Sequence, residues 1–252
     1  MNGTRKNITF STPVNNLSVG NSVYMNVNGV RTEFLIIHKG NPDTSLYDSS
    51  CDGIWLLMKN CYEQRAFRIY TVYEPDHSNF NEYTESSQIQ QYLNNEVYAK
   101  FDYNIQQIIK QVKIPSRKYG SDSDSISSVY SGAYGVSAKV FLLSFTEIYS
   151  SDLSYGPNTS WNGEGVPLSY FSSNEKRIAK MNNNPVYWWT RTPCFGSNAA
   201  NGSTMIVSYT GSLGYEHPTL DVNSVNGKPY CIRPAIIVPN STKCDSNMNI
   251  IT

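Results

Sequence analysis

The chain has 252 residues, enough for one large domain or two small ones with a core that is stable without metals or disulfides, and one domain is expected. Charged residues make up 16% of it and 20 Lys and Arg balance 20 Asp and Glu, so no strong field draws the chain to nucleic acid, anionic lipid or a polyanion. No apolar run approaches a membrane span, and the start, MNGTRKNITFSTPVNN, lacks the apolar stretch of a secretory signal, so neither membrane insertion nor the usual export route is expected.

Residues 1–18 are polar and aperiodic, an N-terminal arm that is either flexible or ordered only against a partner. From Val19 the pattern changes. Val23, Met25 and Val27 alternate with polar residues, Asn28-Gly29 supplies the positive φ angles of a tight turn, and Thr32, Phe34 and Ile36 resume the alternation, predicting a β-hairpin. IWLLM, Ile54 to Met58, is an apolar run of strand length and predicts a buried strand. Ser87-x-x-Gln90 has the spacing of a capping box and opens a helix carrying Ile89, Leu93 and Val97. Asp102 is placed to cap a second helix whose Ile105, Ile108, Ile109 and Val112 form one apolar stripe.

Ser116 to Gly135 is rich in Ser, Gly, Tyr and Asp without period and predicts a long loop. VFLLS, Val140 to Ser144, predicts another buried strand, and Ser172-x-x-Glu175 a second capping box for a short helix with Ile178 and Met181. Tyr187 to Arg191, Met205 to Tyr209 and Ile232 to Val238 complete the pattern as three strands, followed by a C-terminal tail, 241–252. Strands, two central helices and a loop-heavy antiparallel end make an α+β domain over residues 19–240.

The residue types of catalysis are present without their patterns. His38, His77 and His217 are scattered and lack thiols or carboxylates at ligand spacing, so no metal site and no cofactor are expected. Asp122-Ser123-Asp124 begins like a calcium loop but lacks the Gly and Glu that would complete it, and a solvated acidic turn is the better reading. Glu74-Pro75-Asp76 and Trp161-Asn162 are similar to the calcium and sugar ligands of animal C-type lectins, but lie too far apart, and Gly163 stands where an Asp would be needed. Sequons such as Asn158-Thr159-Ser160 and Asn201-Gly202-Ser203 follow from Asn and Ser abundance. The five cysteines, Cys51, Cys61, Cys194, Cys231 and Cys244, are odd in number and lack metal-site spacing, so buried free thiols are expected.

Tyr (19) and Trp (4) beside abundant Asn and Ser suit a binding surface, and equally a β-rich fold with many polar turns. On a regular strand Trp188 and Trp189 point to opposite faces, so one of the two is expected to meet a groove or a partner.

The landmarks VGNSVYMNVNG, SLYDSSCDGIWLLMKNCY, IQQYLNN, IIKQVKIP, SGAYGVSAKVFLLSFTEI, YWWTRTP and CIRPAIIVP, spread from Val19 to Pro239, resemble a domain of unknown function common in gut bacteria and their phages. Members look like YWWLRSP and GVRPA at the last two motifs, so Thr190, Thr192 and Cys231 depart from the pattern. The resemblance implies a C-type-lectin-like fold, similar to ligand-binding proteins diversified by retroelements and more distantly to formylglycine-generating enzymes. It makes Trp188, Trp189, Arg191, Arg233 and Pro234 a structural frame around a solvent-facing sheet. The segment between the motifs, residues 194–230, has the Asn, Ser, Tyr, Asp, Thr and Gly content that adenine substitution in Asn codons produces, although a loop-rich sheet edge would have it too.

Three functions follow. The first is a non-enzymatic binding module of a phage or phage-like particle, attached to a host cell-surface protein or glycan through Phe195, Asn198, Asn201, Tyr209, Tyr215, Glu216 and His217. It would reside in the virion, or in the cytoplasm until lysis. The second is a virion structural protein whose same surface packs against neighbouring subunits or forms a homo-oligomer. The third is an enzyme using Cys194 and Cys231 as a reactive pair, which lacks a supporting acid-base pattern.

Overall fold

The computed structural model describes residues 11–70, 83–117, 129–149, 164–193, 204–216, 219–221 and 229–252. Two five-stranded sheets organise them. In chain order the strands are β1 (Ser22–Val27), β2 (Val30–Lys39), β3 (Ile54–Met58), β4 (Glu63–Arg65), β5 (Val140–Phe141), β6 (Trp188–Pro193), β7 (Thr204–Val207), β8 (Leu213–Glu216), β9 (Tyr230–Ile232) and β10 (Ala235–Val238). The first sheet has the order β5-β10-β3-β2-β1 and is antiparallel throughout. The second has the order β8-β7-β6-β9-β4, with one parallel pair, β6 beside β9. Among the described residues four short α-helices, α1 (Gln88–Tyr92), α2 (Tyr103–Ile108), α3 (Phe145–Ile148) and α4 (Asn174–Arg177), make the fold mixed α+β. Among the described residues no helix is long and apolar enough to cross a membrane.

The hairpin of β1 and β2 forms as its alternation predicts, with Asn28 at φ 53° and Gly29 at φ 74° in the turn. IWLLM is buried on every residue, as a central strand covered on both faces must be. Trp55 anchors it: its indole lies edge-on to Tyr47 and Phe141, each 5.6 Å away, and its N–H donates to the carbonyls of Gly40 and Cys51.

The helix from Ser87 runs as far as its apolar spacing suggests, α1 continuing through a π turn, Leu93–Val97, and a 3-10 turn, Tyr98–Lys100, whereas the two later helices and one strand end sooner, and the expected caps at Ser87, Asp102 and Ser172 are not made. Ser87 donates its hydroxyl to the Thr84 carbonyl and does not cap α1, while Gln90 turns inward to Tyr83 and the Val140 carbonyl. Asp102 accepts from the Asn26 amide instead of capping α2, which ends at Ile108, so Val112 packs from a strand, Val112–Ile114. Ser172 accepts from Lys176, and α4 is one turn long, leaving Ile178 at its end and Met181 on a following strand. The strand expected over Val140 to Ser144 stops at Phe141, and Ser144 opens α3 with a complete capping box to Glu147. The expected loop from Ser116 is paired at its ends, Ser116–Arg117 against Val129–Tyr130. The polar arm and the tail meet each other: Thr12–Pro13 pairs with Lys243–Cys244, which pairs with Ile250–Ile251, and Val14 is buried.

The expected strand Ile232 to Val238 is broken at Arg233-Pro234 into β9 and β10, which belong to different sheets. β3 and β4 make the same crossing in the other direction, β10 pairing with β3 and β9 with β4. One bent ribbon is therefore shared by both sheets. Its corner carries a Cys61–Cys231 disulfide, Cα to Cα 5.5 Å, so these two cysteines are not the free thiols expected; Cys51 and Cys244 are free and buried. Cys231 occupies the position where the resemblance places Gly.

Candidate functional site

Both tryptophans of YWWTRTP are fully buried, which overturns the expectation that one meets a groove. Their side chains do alternate, but both faces of β6 are covered. Trp188 donates to the Arg177 carbonyl and lies under the Arg233 guanidinium, 5.1 Å from its ring centre. Trp189 donates to the Arg65 carbonyl and packs on Phe67 and Tyr230.

Beyond Trp189 the pairing of β6 with β7 is irregular until Pro193. The displaced stretch holds itself through side chains: Thr190 donates to the Met205 carbonyl, and Thr192 accepts from the Phe145 amide and donates to a Glu164 carboxylate oxygen. Such a break in the ladder re-aims the residue inside it, here Arg191. All five of its N–H donors are used. Two form a fork on the Glu147 carboxylate at 2.7 and 2.8 Å, and the others meet the carbonyls of Pro115, Leu142 and Glu164. The Glu164 carboxylate stands 3.8 Å from the guanidinium, and Tyr47 donates to Glu147 at 2.9 Å. Gly165 sits at φ +130°, and a side chain there would overlap the Tyr47 hydroxyl.

Every member of this cluster is sealed from solvent. Burial opposes the charge of Arg191, but the Glu147 carboxylate outweighs it and holds the guanidinium above its ordinary value. Burial pushes the Glu164 carboxyl up, with Arg191 opposing, and burial followed by the Glu147 charge pushes Tyr47 well above the usual phenol. A pair with these bonds satisfied fixes geometry; it leaves no donor of Arg191 for a ligand.

Arg233 differs. It is equally buried, at the corner where the ribbon leaves one sheet for the other. The guanidinium gathers the Met58 and Lys59 carbonyls at that corner together with the Arg177 carbonyl at the end of α4. Pro234 has no N–H to leave unpaired there. Among the described residues no carboxylate pairs with Arg233, and burial lowers it to about 10, with only Tyr170 countering. It lines a cleft of about 490 Å³ with Tyr170, Lys59, Lys176 and Lys180.

Tyr209 is half exposed, at 50%, in the turn between β7 and β8. The turn is pinned: Ser208, Thr210 and Ser212 share hydroxyl contacts, and Gly211, at φ +80°, lies so close to the Asn174 carbonyl that any side chain would overlap it. The Tyr209 ring packs at 5.4 Å on Tyr187, which continues to Tyr230 at 5.2 Å and on to Trp189 at 4.9 Å. Of the other expected contacts, Tyr215 and Glu216 lie on β8 opposite Met205 and Thr204, while Phe195, Asn198, Asn201 and His217 lie outside the described residues. Cys194, His77, Glu74-Pro75-Asp76, Asp122-Ser123-Asp124, Trp161-Asn162 and the sequons Asn158-Thr159-Ser160 and Asn201-Gly202-Ser203 lie outside them too. Thr204 to Val207 and Tyr230, inside the segment read as solvent-facing, are buried. With Cys231 bonded to Cys61, the Cys194–Cys231 pair of the enzymatic reading is withdrawn. No three His, Cys, Asp or Glu side chains among the described residues converge to hold a metal.

Sequence reasoning missed Glu147, Glu164, Tyr47 and Arg177. Ser144-x-x-Glu147 has capping-box spacing and was a local sign for the first; the others become visible only when distant segments meet.

The fold and these sites define a mixed α+β domain with two mainly antiparallel sheets joined at a braced corner. The chain belongs to the family described as "Domain of unknown function (DUF6273)", which matches residues 52–240. No curated protein and no solved structure matches it.

Proposed function

We propose that the chain is a non-enzymatic recognition domain of C-type-lectin-like type, carried on a phage or phage-like particle and binding a host cell-surface protein or glycan. The observation that carries the recognition role is Tyr209: an exposed aromatic on a turn pinned to α4 and backed by a ladder of rings down to buried Trp189. A rigid aromatic gives contact area at low entropy cost, which is what a recognition surface needs. Phe195, Asn198, Asn201, Tyr215, Glu216 and His217 are the further contact residues this reading names. The Cys61–Cys231 disulfide supports a working place outside a reducing cytosol, such as a particle released by lysis.

Binding of the fluorescently labelled full chain to gut-bacterial cells tests this. Saturable binding that falls about tenfold in Tyr209→Ala, at unchanged melting temperature, is the expected result. Stable self-assembly on size exclusion without cell binding favours subunit packing instead, a reading supported by the exposed Tyr103 and Tyr134. Retroelement diversification of residues 194–230 predicts a near-copy of that segment just downstream in the DNA, differing mainly at adenines; finding none there rejects it.

A further inference from the structure

The cleft above Arg233 is lined by Leu35, Lys59, Asn60, Tyr170, Glu175, Lys176, Ile178, Lys180, Asn183 and Arg233, four cations against one carboxylate. We propose that it is a binding site for a small polar anion, the size of an acidic or phosphorylated sugar, whose anionic group docks on Arg233 and is clamped by Lys59 and Lys180.

Three observations support it. A guanidinium has five N–H donors, and Arg233 uses three, each on a backbone carbonyl, so two remain for a ligand. Its charge is buried without an ion pair to a carboxylate among the described residues, the arrangement that an incoming anion would complete. Lys180 makes no ion pair among the described residues, and Lys59 shares its charge only with Glu33 at 3.0 Å on the surface. The volume of about 490 Å³ suits a ligand of one or two sugar rings. The polar lining, with the Tyr170 ring and the Asn183 amide at hand, suits a hydroxylated ligand better than an apolar one. Arg191 cannot serve in this way, because its five donors are spent.

This site is distinct from the Tyr209 face, although α4 borders both: Arg233 lies over Trp188, whereas the tyrosine ladder ends on Trp189. Calorimetric titration of the full chain with glucose 6-phosphate, glucuronate, inorganic phosphate and glucose, each at matched ionic strength, tests it. Saturable binding of either sugar anion, absent for glucose, is expected, and the tighter of the two identifies phosphate or carboxylate as the anionic group. Lys59→Ala combined with Lys180→Ala, both at the exposed rim, should weaken that binding about tenfold or more while the protein stays folded. Arg233→Lys should weaken it further, and the rim variant keeps the test valid if that protein does not fold. Heats no larger than those of sodium chloride, or equal affinity in the rim variant, would overturn the proposal. Loss of cell binding in Tyr209→Ala with anion binding intact would separate this site from the recognition face.

Discussion

Arg191 and Arg233 are both shut away from water and both close a motif of the same chain, yet they solve burial in opposite ways. Arg191 meets a carboxylate fork, a second acid nearby and three carbonyls, and nothing is left over. Arg233 meets carbonyls alone, and its remaining donors border a cationic cleft. The first arrangement fixes the irregular strand that follows the tryptophans. The second braces the corner between the sheets and keeps a charge in reserve. An arginine in a framing motif is therefore structural or receptive according to its counter-charge, and the motif alone does not say which.

The contrast is sharpened first by removing the acid. Glu147→Ala leaves Arg191 buried beside Glu164 only, and is expected to cost about 3–5 kcal/mol in urea unfolding. A cost below about 1 kcal/mol would show that the fork is not what holds the strand. Next, replacing both Cys61 and Cys231 by Ser frees a crosslink that spans 170 residues. That should cost about 2–4 kcal/mol, read as a lower urea midpoint. Arg233→Met removes a charge without a paired acid and takes a donor from the Met58 and Lys59 carbonyls, while the Arg177 carbonyl keeps the Trp188 N–H, so about 1–3 kcal/mol is expected. If it costs as much as Glu147→Ala, the two arginines are not different in kind.

The smallest effect lies at His38, half-buried on β2 with its ring edge-on to Trp55. Burial lowers its pKa below the ordinary imidazole value of 6.5, while the Glu147 charge partly offsets this. The folded protein therefore takes up the proton less readily than the unfolded chain. The stability this represents is complete above about pH 6.5 and is lost as the pH falls through the lowered value. His38→Gln should flatten unfolding midpoints across that window. NMR titration of His38 in Glu147→Ala should show its pKa lower still.

The first hairpin and the strand Ile54 to Met58 were legible because alternation, an apolar run and Asn28-Gly29 are local signals. Trp188, Trp189, Arg191 and Arg233 of the landmarks YWWTRTP and CIRPA are buried, but the sequence read CIRPA as part of one strand. Whether Arg233-Pro234 turns a corner depends on which neighbours β9 and β10 find, a long-range fact. The same distance hid the ion cluster, with Arg191 lying 44 residues from Glu147, and the disulfide, for which counting cysteines gives no pairing. The helix carrying Ile89, Leu93 and Val97 was legible from its spacing, whereas α2 and α4 end sooner than expected, and the caps read at Ser87, Asp102 and Ser172 are not made because those side chains have nearby partners other than the helix ends. Of the expected contact residues, Tyr209 is the one whose exposed ring the structure describes.

The difference between the two arginines is tested most directly by their own Nε–H resonances. In NMR spectra of the nitrogen-15-labelled full chain, with glucose 6-phosphate and glucuronate titrated separately at constant ionic strength, the Arg233 signal should move saturably with one of them while the Arg191 signal stays in place. An Arg233 signal that stays fixed with both, or an Arg191 signal that moves in step with it, would contradict the division into a sealed arginine and a receptive one.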